Sequence, residues 1–168
     1  MNAHFPCVHF CFSQYRAMTN TQQHPYSFQK KERLCSKRII DTLFDGGSKS
    51  FSAYPLRAVF RSIPTETDQE LVSVLVSVSK KHFKRAVKRN RAKRQIREAY
   101  RKNKSLIYEV LKSNANAPKH IAIAFLWQAD ELMLTSVVES KMRSLLHRIA
   151  EYIHKEYGNP ETVVEPAE

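Results

Sequence analysis

Residues 79–104 read SKKHFKRAVKRNRAKRQIREAYRKNK. Half of them are Lys or Arg, and Glu98 is the only acid. A run this cationic is ordinarily a solvated tail without apolar periodicity. Here a period exists. At 100° per residue, Ala92, Ile96, Ala99, Tyr100 and Asn103 fall on one side of a helix. Asn90, Arg94, Arg97 and Arg101 fall on the other, flanked by Lys93, Arg91 and Glu98. The spacing predicts an amphipathic helix docked by a narrow apolar stripe, with a cationic ridge facing out. Stacked guanidinium groups repel one another, and no acidic run lies nearby in sequence to neutralise them. A polyanionic partner removes that conflict. Arginine forks match phosphate oxygens in bidentate geometry, and an asparagine among them adds a donor and an acceptor for a sugar hydroxyl or base edge. Nucleic acid fits this chemistry. The candidate contacts are Lys80, Lys81, Arg85, Lys88, Arg89, Asn90, Arg91, Lys93, Arg94, Arg97 and Arg101.

On either side of this helix the pattern turns to strands. Residues 71–78 place Val72, Val74, Val76 and Val78 on one face and Leu71, Ser73, Leu75 and Ser77 on the other. Residues 54–63 alternate Leu56, Ala58 and Phe60 with Arg57, Val59 and Arg61. Residues 121–127 are apolar throughout, as in a strand buried on both faces. The basic helix runs to about Leu111, where a breaker stretch ending in Pro118 stops it. Upstream, Ser36 caps a short helix over 37–45 with Ile39, Ile40, Leu43 and Phe44 at 3–4 spacing, and Gly46-Gly47 ends it. In the last helix Ser136 and Glu139 have capping-box spacing, and Val138, Met142, Leu145, Leu146, Ile149 and Ile153 form a core stripe. The order helix, strand, strand, basic helix, strand, helix predicts a small α+β sandwich with helices packed on one face of a sheet.

The chain has 168 residues and a formal charge of +12, enough for one domain with tails and for strongly salt-sensitive binding to a polyanion. The domain is expected over 26–157. Residues 1–25 read as a disordered extension, with Met18 a candidate start, and residues 158–168 as a disordered acidic tail. Three glycines leave no phosphate loop of the GxGxxG or GxxxxGK[ST] kind. Cys7, Cys11 and Cys35 are an odd set in a chain without an export signal, which points to a reducing cytoplasm. No apolar run is long enough for a bilayer span. His4, Cys7, His9 and Cys11 lack the spacing of a structural zinc site. Carboxylates are scattered, so no paired-acid catalytic site is expected. His82 reads as a surface imidazole beside a phosphate rather than a general base. No catalytic or metal-ligating residue is assigned to this chain.

Lys80-Lys81 followed by Ala86-Val87-Lys88-Arg89-Asn90-Arg91-Ala92-Lys93-Arg94-Gln95-Ile96-Arg97-Glu98 resembles the signature of the bacterial ribonuclease P protein family. Phe28 with Arg33-Leu34, and Leu43-Phe44 with Gly47, resemble that family's N-terminal helix region. The resemblance covers about residues 27–157. It implies a two-layer α/β sandwich of about four strands and three helices, with a left-handed βαβ crossover against the usual rule. It implies a subunit that binds a large catalytic RNA and assists removal of the 5′ leader from precursor tRNA. The RNA would hold the active site and the catalytic Mg²⁺. Arg89, Asn90, Arg91, Lys93, Arg94 and Arg97 match the family's RNA-facing motif. Phe28, Ile40, Phe44, Leu56 and Ala58 would line its leader-binding cleft, the competing role for these apolar residues being simply core.

Three other readings are weighed. A ribosomal-type RNA-binding module shares the charge and fold class, and the fixed RNR-x-KR-x-x-RE spacing argues against it. A basic-zipper DNA-binding region needs heptads that the breaker stretch after residue 112 forbids. A protein-only nuclease needs clustered carboxylates for metal ions. No membrane, DNA or obligate protein partner is expected.

Overall fold

The computed structural model describes residues 27–64, 71–114 and 116–157. The expected extension at 1–25, the tail at 158–168 and most of the turn at 64–70 lie outside the described residues. The elements are α1 (Lys37–Phe44), β1 (Lys49–Ala53), β2 (Leu56–Ser62), β3 (Val72–Ser77), α2 (Ala86–Asn103), α3 (Ser105–Ser113), β4 (Ile121–Trp127) and α4 (Thr135–Tyr157). They form an α+β fold around one mixed sheet of order β1-β2-β4-β3. β1 and β2 are antiparallel, as are β2 and β4, while β3 runs parallel to β4 through the α2–α3 crossover.

The apolar run of β4 takes the centre because both of its faces are covered. Register pairs Phe60 and Val74 with Ile123 across the two neighbouring strands. One parity of the sheet therefore collects Leu56, Ala58, Phe60, Val72, Val74, Ile121, Ile123, Phe125 and Trp127 into the main core beneath α2, α3 and α4. The other parity gathers Val59, Ala122 and Ala124 into a smaller core with Leu34 and Leu43. Helices thus lie on both faces rather than on one. The two alanines of β4 present little bulk where α1 approaches, and Leu43 is 1% exposed there. Buried between β4 and β3, His120 shares a hydrogen bond of 2.9 Å with Ser73 Oγ, and burial lowers its pKa.

Three further elements differ from the sequence expectation. β1 was not anticipated, because KSFSA is mostly polar and its outer residues stay exposed. Ser36 precedes α1 without a side-chain cap, and Gly46 and Gly47 end the helix with φ of 91° and 73°. Glu139 does not close a capping box on Ser136. Its carboxylate accepts a 2.9 Å bond from Lys102 Nζ, joining α4 to α2.

The basic helix also ends earlier than expected, at Asn103, and α3 continues as a separate piece. Asn103 Nδ2 donates to the Ala99 carbonyl at 2.8 Å, competing for the acceptor of its own turn. Lys104 turns into the body, 8% exposed, where its ammonium pairs with the buried Glu32 carboxylate and donates to the Ser27 carbonyl at 2.6 Å. Tyr108 Oη donates to the same carboxylate at 3.3 Å, and Gln29 N–H donates to its other oxygen at 3.2 Å. Glu32 and Leu34 meanwhile exchange backbone bonds with Val74, adding residues 32–34 to the edge of β3.

This ion pair ties the entering chain to the α2–α3 joint. Breaking one half of a buried pair leaves an uncompensated charge. Lys104→Met alone should destabilise the fold by about 3–5 kcal/mol, and Lys104→Met with Glu32→Leu by clearly less. Chemical denaturation of the two variants against the parent chain checks this.

Candidate nucleic-acid interface

α2 is held by the stripe that the sequence marks. Ala92, Ile96, Ala99 and Tyr100 are at most 1% exposed, and Asn103 is buried beside them. Gln95 joins this face unexpectedly, donating to the Met133 carbonyl at 3.0 Å and to Thr135 Oγ1 at 3.2 Å. Phe28 and Phe125 flank the buried Tyr100 ring at 5.8 Å each. The opposite face carries Lys88, Asn90, Arg91, Arg94 and Arg97, all exposed, with Lys93 half-buried at the margin. Among the described residues no carboxylate reaches ion-pair distance of these five cations.

Two members of the motif are spoken for. Arg101 forks onto Glu98 through Nε at 2.9 Å and Nη2 at 2.7 Å. That hydrogen bonding lowers the Glu98 pKa below the usual carboxylate value. Arg89 is half-buried, and its Nη1 donates to the carbonyls of Phe83 at 2.8 Å and Lys84 at 2.7 Å. It thereby clamps the loop between β3 and α2. The Phe83 ring, 3% exposed, anchors the same loop against Trp127 at 6.2 Å. His82 Nδ1 pairs with Asp130 Oδ1 at 2.8 Å, and Lys81 N–H donates to Ser79 Oγ at 3.1 Å. The loop so fixed displays Lys80, Lys81, Lys84 and Arg85 to solvent. The sequence pattern of Arg89 alone does not separate a clamp from a phosphate contact.

The expected cleft residues divide. Ile40 is half-buried and Phe44 is 50% exposed, both on α1 over the smaller core. Leu56 and Ala58 are 0% exposed and belong to the main core on the opposite face, so neither lines the α1 side. The cause is strand parity: the apolar set of β2 goes to the larger core, leaving Arg57, Val59 and Arg61 for α1. Phe28 also sits with the main core, edge-on to Tyr100, beneath the guanidinium of Arg33 at 5.7 Å. Residues missed by the sequence reading complete the α1 face. Arg57 is exposed and donates to Ser50 Oγ at 3.1 Å. Arg61 Nη1 donates to the carbonyls of Thr42 at 3.0 Å and Gly46 at 3.1 Å, where α1 ends. Register places Leu126, Leu75 and Ser77 on that face too. Alternation of Arg57 and Arg61 with the apolar set was the available signal. Among the described residues no group of three or more His, Cys, Asp or Glu side chains is placed to hold a metal ion, and no helix is long and apolar enough to cross a membrane.

A four-stranded α+β fold whose basic helix presents a row of exposed cations without carboxylate partners among the described residues defines the class: a protein built to meet a polyanion. The ribonuclease P family model matches residues 28–150. A ribonuclease P protein component from Porphyromonas gingivalis is 46% identical over 125 residues, covering 74% of this chain and 88% of that protein. Another from Chlorobaculum tepidum is 37% identical over 95 residues, covering 55% of this chain and 62% of that protein. The ribonuclease P protein structure from Thermotoga maritima superposes with a TM-score of 0.53 at 26% identity, covering 70% of this chain and 96% of its own. That from Staphylococcus aureus has the same fold, with a TM-score of 0.52 at 19% identity, covering 73% and 97%. The chain belongs to the ribonuclease P protein family. Its function is that of the protein component of ribonuclease P, in tRNA 5′ processing.

Arg89 and Arg94 should behave differently. Arg94→Ala removes an exposed cation and should lower the slope of log affinity for the ribonuclease P RNA against log salt by roughly 0.7–0.9. Arg89→Ala should weaken binding by roughly tenfold, about 1.4 kcal/mol, through loosening of the loop, with little change in that slope. Binding titrations across a salt series check both.

Proposed function

We propose that the exposed face of α2 and the clamped loop before it dock on the catalytic RNA of ribonuclease P. The face between α1 and the sheet then receives the single-stranded 5′ leader of precursor tRNA. The observation that carries this reading is the row of exposed cations on α2 that no carboxylate among the described residues pairs with. In water such a row gains most from releasing the counterions of a polyanion. On the α1 side, the exposed Phe44 ring and Arg57 supply what unpaired RNA needs, a surface for bases to stack on and a cation for the backbone.

The catalytic groups are assigned to the RNA. The carboxylates of this chain are dispersed among the described residues or committed, as Glu32 is to Lys104 and Glu98 to Arg101. The donor set does not fit a resident Mg²⁺, so the ion is placed with the RNA and its substrate. What these residues contribute is binding: they neutralise phosphates that would otherwise repel one another as RNA and precursor come together. The cytoplasm, where precursor tRNA is made, is the assigned compartment.

The test is cleavage of a precursor tRNA with a 5′ leader at low Mg²⁺. Cognate catalytic RNA is assayed with and without this protein, beside a protein-only control. Cleavage is expected only when both are present. Cleavage by the protein alone would overturn the assignment of the catalytic groups. RNA binding without any gain in cleavage would make the chain a general RNA-binding module.

A further inference from the structure

A cavity of about 160 Å³ lies at the far end of the sheet, away from the α2 ridge. It opens between the start of β1, the end of β2 and the last turns of α4. Phe60 and Ile153, 3% and 1% exposed, give it an apolar floor. Tyr152 and Tyr157 stand half-buried in its wall. The Tyr152 ring is held by edge contacts to Phe60 at 5.4 Å and Phe51 at 6.3 Å, so its orientation is set before any ligand arrives. Lys49 supplies the charge, its Nζ 5.8 Å from the Tyr152 centroid, while the Arg61 guanidinium is turned to the Thr42 and Gly46 carbonyls at the end of α1. Among the described residues no carboxylate lines the cavity or lies within ion-pair distance of Lys49.

Aromatic walls over an apolar floor take a flat ring, and a cation without a counter-ion takes an anion. A nucleotide joins the two within one residue of RNA. We propose that this cavity binds one nucleotide of an unpaired RNA strand, the base against the tyrosines and the phosphate at Lys49. The proposal rests on the ribonucleoprotein reading above. A free mononucleotide offers the same two groups, so the test must separate the sources.

The full-length chain is titrated with adenosine 5′-monophosphate, adenosine, inorganic phosphate and an unpaired oligoadenylate, following the amide signals of Gly47, Lys49, Ser62 and Tyr157 by NMR. The monophosphate should shift these signals, and adenosine or phosphate alone should shift them less. The oligoadenylate should bind more tightly and displace the monophosphate. Tyr157→Ala, at the last residue of α4, should weaken binding roughly tenfold, as loss of one base–aromatic stack does. Lys49→Gln should weaken the monophosphate about two- to fivefold and adenosine not at all. Arg94→Ala should leave the cavity signals unchanged while weakening the catalytic RNA.

Silent cavity signals with normal, Arg94-dependent binding of the catalytic RNA would overturn the cavity proposal alone. Tighter binding of the monophosphate than of the oligoadenylate would overturn the assignment to an RNA strand. Failure of the catalytic RNA itself to bind would instead remove the reading beneath the proposal.

Discussion

Everything in this fold answers to the self-repulsion of α2. Lys88, Arg89, Arg91, Lys93, Arg94, Arg97, Arg101 and Lys102 share one helix with a single acid, Glu98. Such a segment forms no stable helix from propensity alone, and only burial of its other face holds it. That face is narrow, so each buried group counts. Ile96 and Tyr100 fill space beneath it, while Ala92 and Ala99 let the backbone come close to the body. Both ends are then fastened. Arg89 clamps the entry loop, and Lys104 with Glu32 fixes the exit to the chain segment at the edge of β3. Lys102 and Gln95 add sideways ties to α4 and the loop before it.

The same constraint apportions the sheet. Supporting α2, α3 and α4 takes the more apolar parity of every strand, so most of the large apolar side chains of β2 and β4 go to that face, Leu126 excepted. What remains for α1 is smaller and more polar: Val59, Ala122 and Ala124 beneath it, Arg57 and Arg61 beside it. A half-covered face with an exposed Phe44 and an arginine edge tied to α1 and β1 is therefore a consequence of how the basic helix is held. The two surfaces assigned to RNA lie on opposite sides of one sheet, joined through its register.

Much of this was legible in the sequence because it is periodic. The stripe 92, 96, 99, 100, 103 and the α4 stripe from Val138 to Ile153 are both buried in the structure. The valine alternation of β3 and the apolar run of β4 likewise read as strands. Illegible were features decided by tertiary contact. β1 gains its strand character from pairing with β2, not from KSFSA itself. The helix break at Asn103 depends on a carboxylate that is remote in sequence and on a side-chain bond to Ala99. Leu56 and Ala58 share their alternation with Arg57 and Arg61, and which set faces α1 is fixed only once the larger core claims the apolar one. Arg89 looks like its neighbours until the loop carbonyls are in place.

The most direct measurement is photo-crosslinking from single positions in the assembled ribonucleoprotein. A photoreactive side chain is placed at position 94 on the α2 ridge, at 44 on the α1 face, or at 144 on the exposed side of α4. Each protein is assembled with the ribonuclease P RNA and a precursor tRNA. The account predicts that position 94 joins the ribonuclease P RNA, position 44 joins the leader, and position 144 joins neither efficiently. Crosslinks to RNA as strong from 144 as from 94, or none from 94, would contradict it.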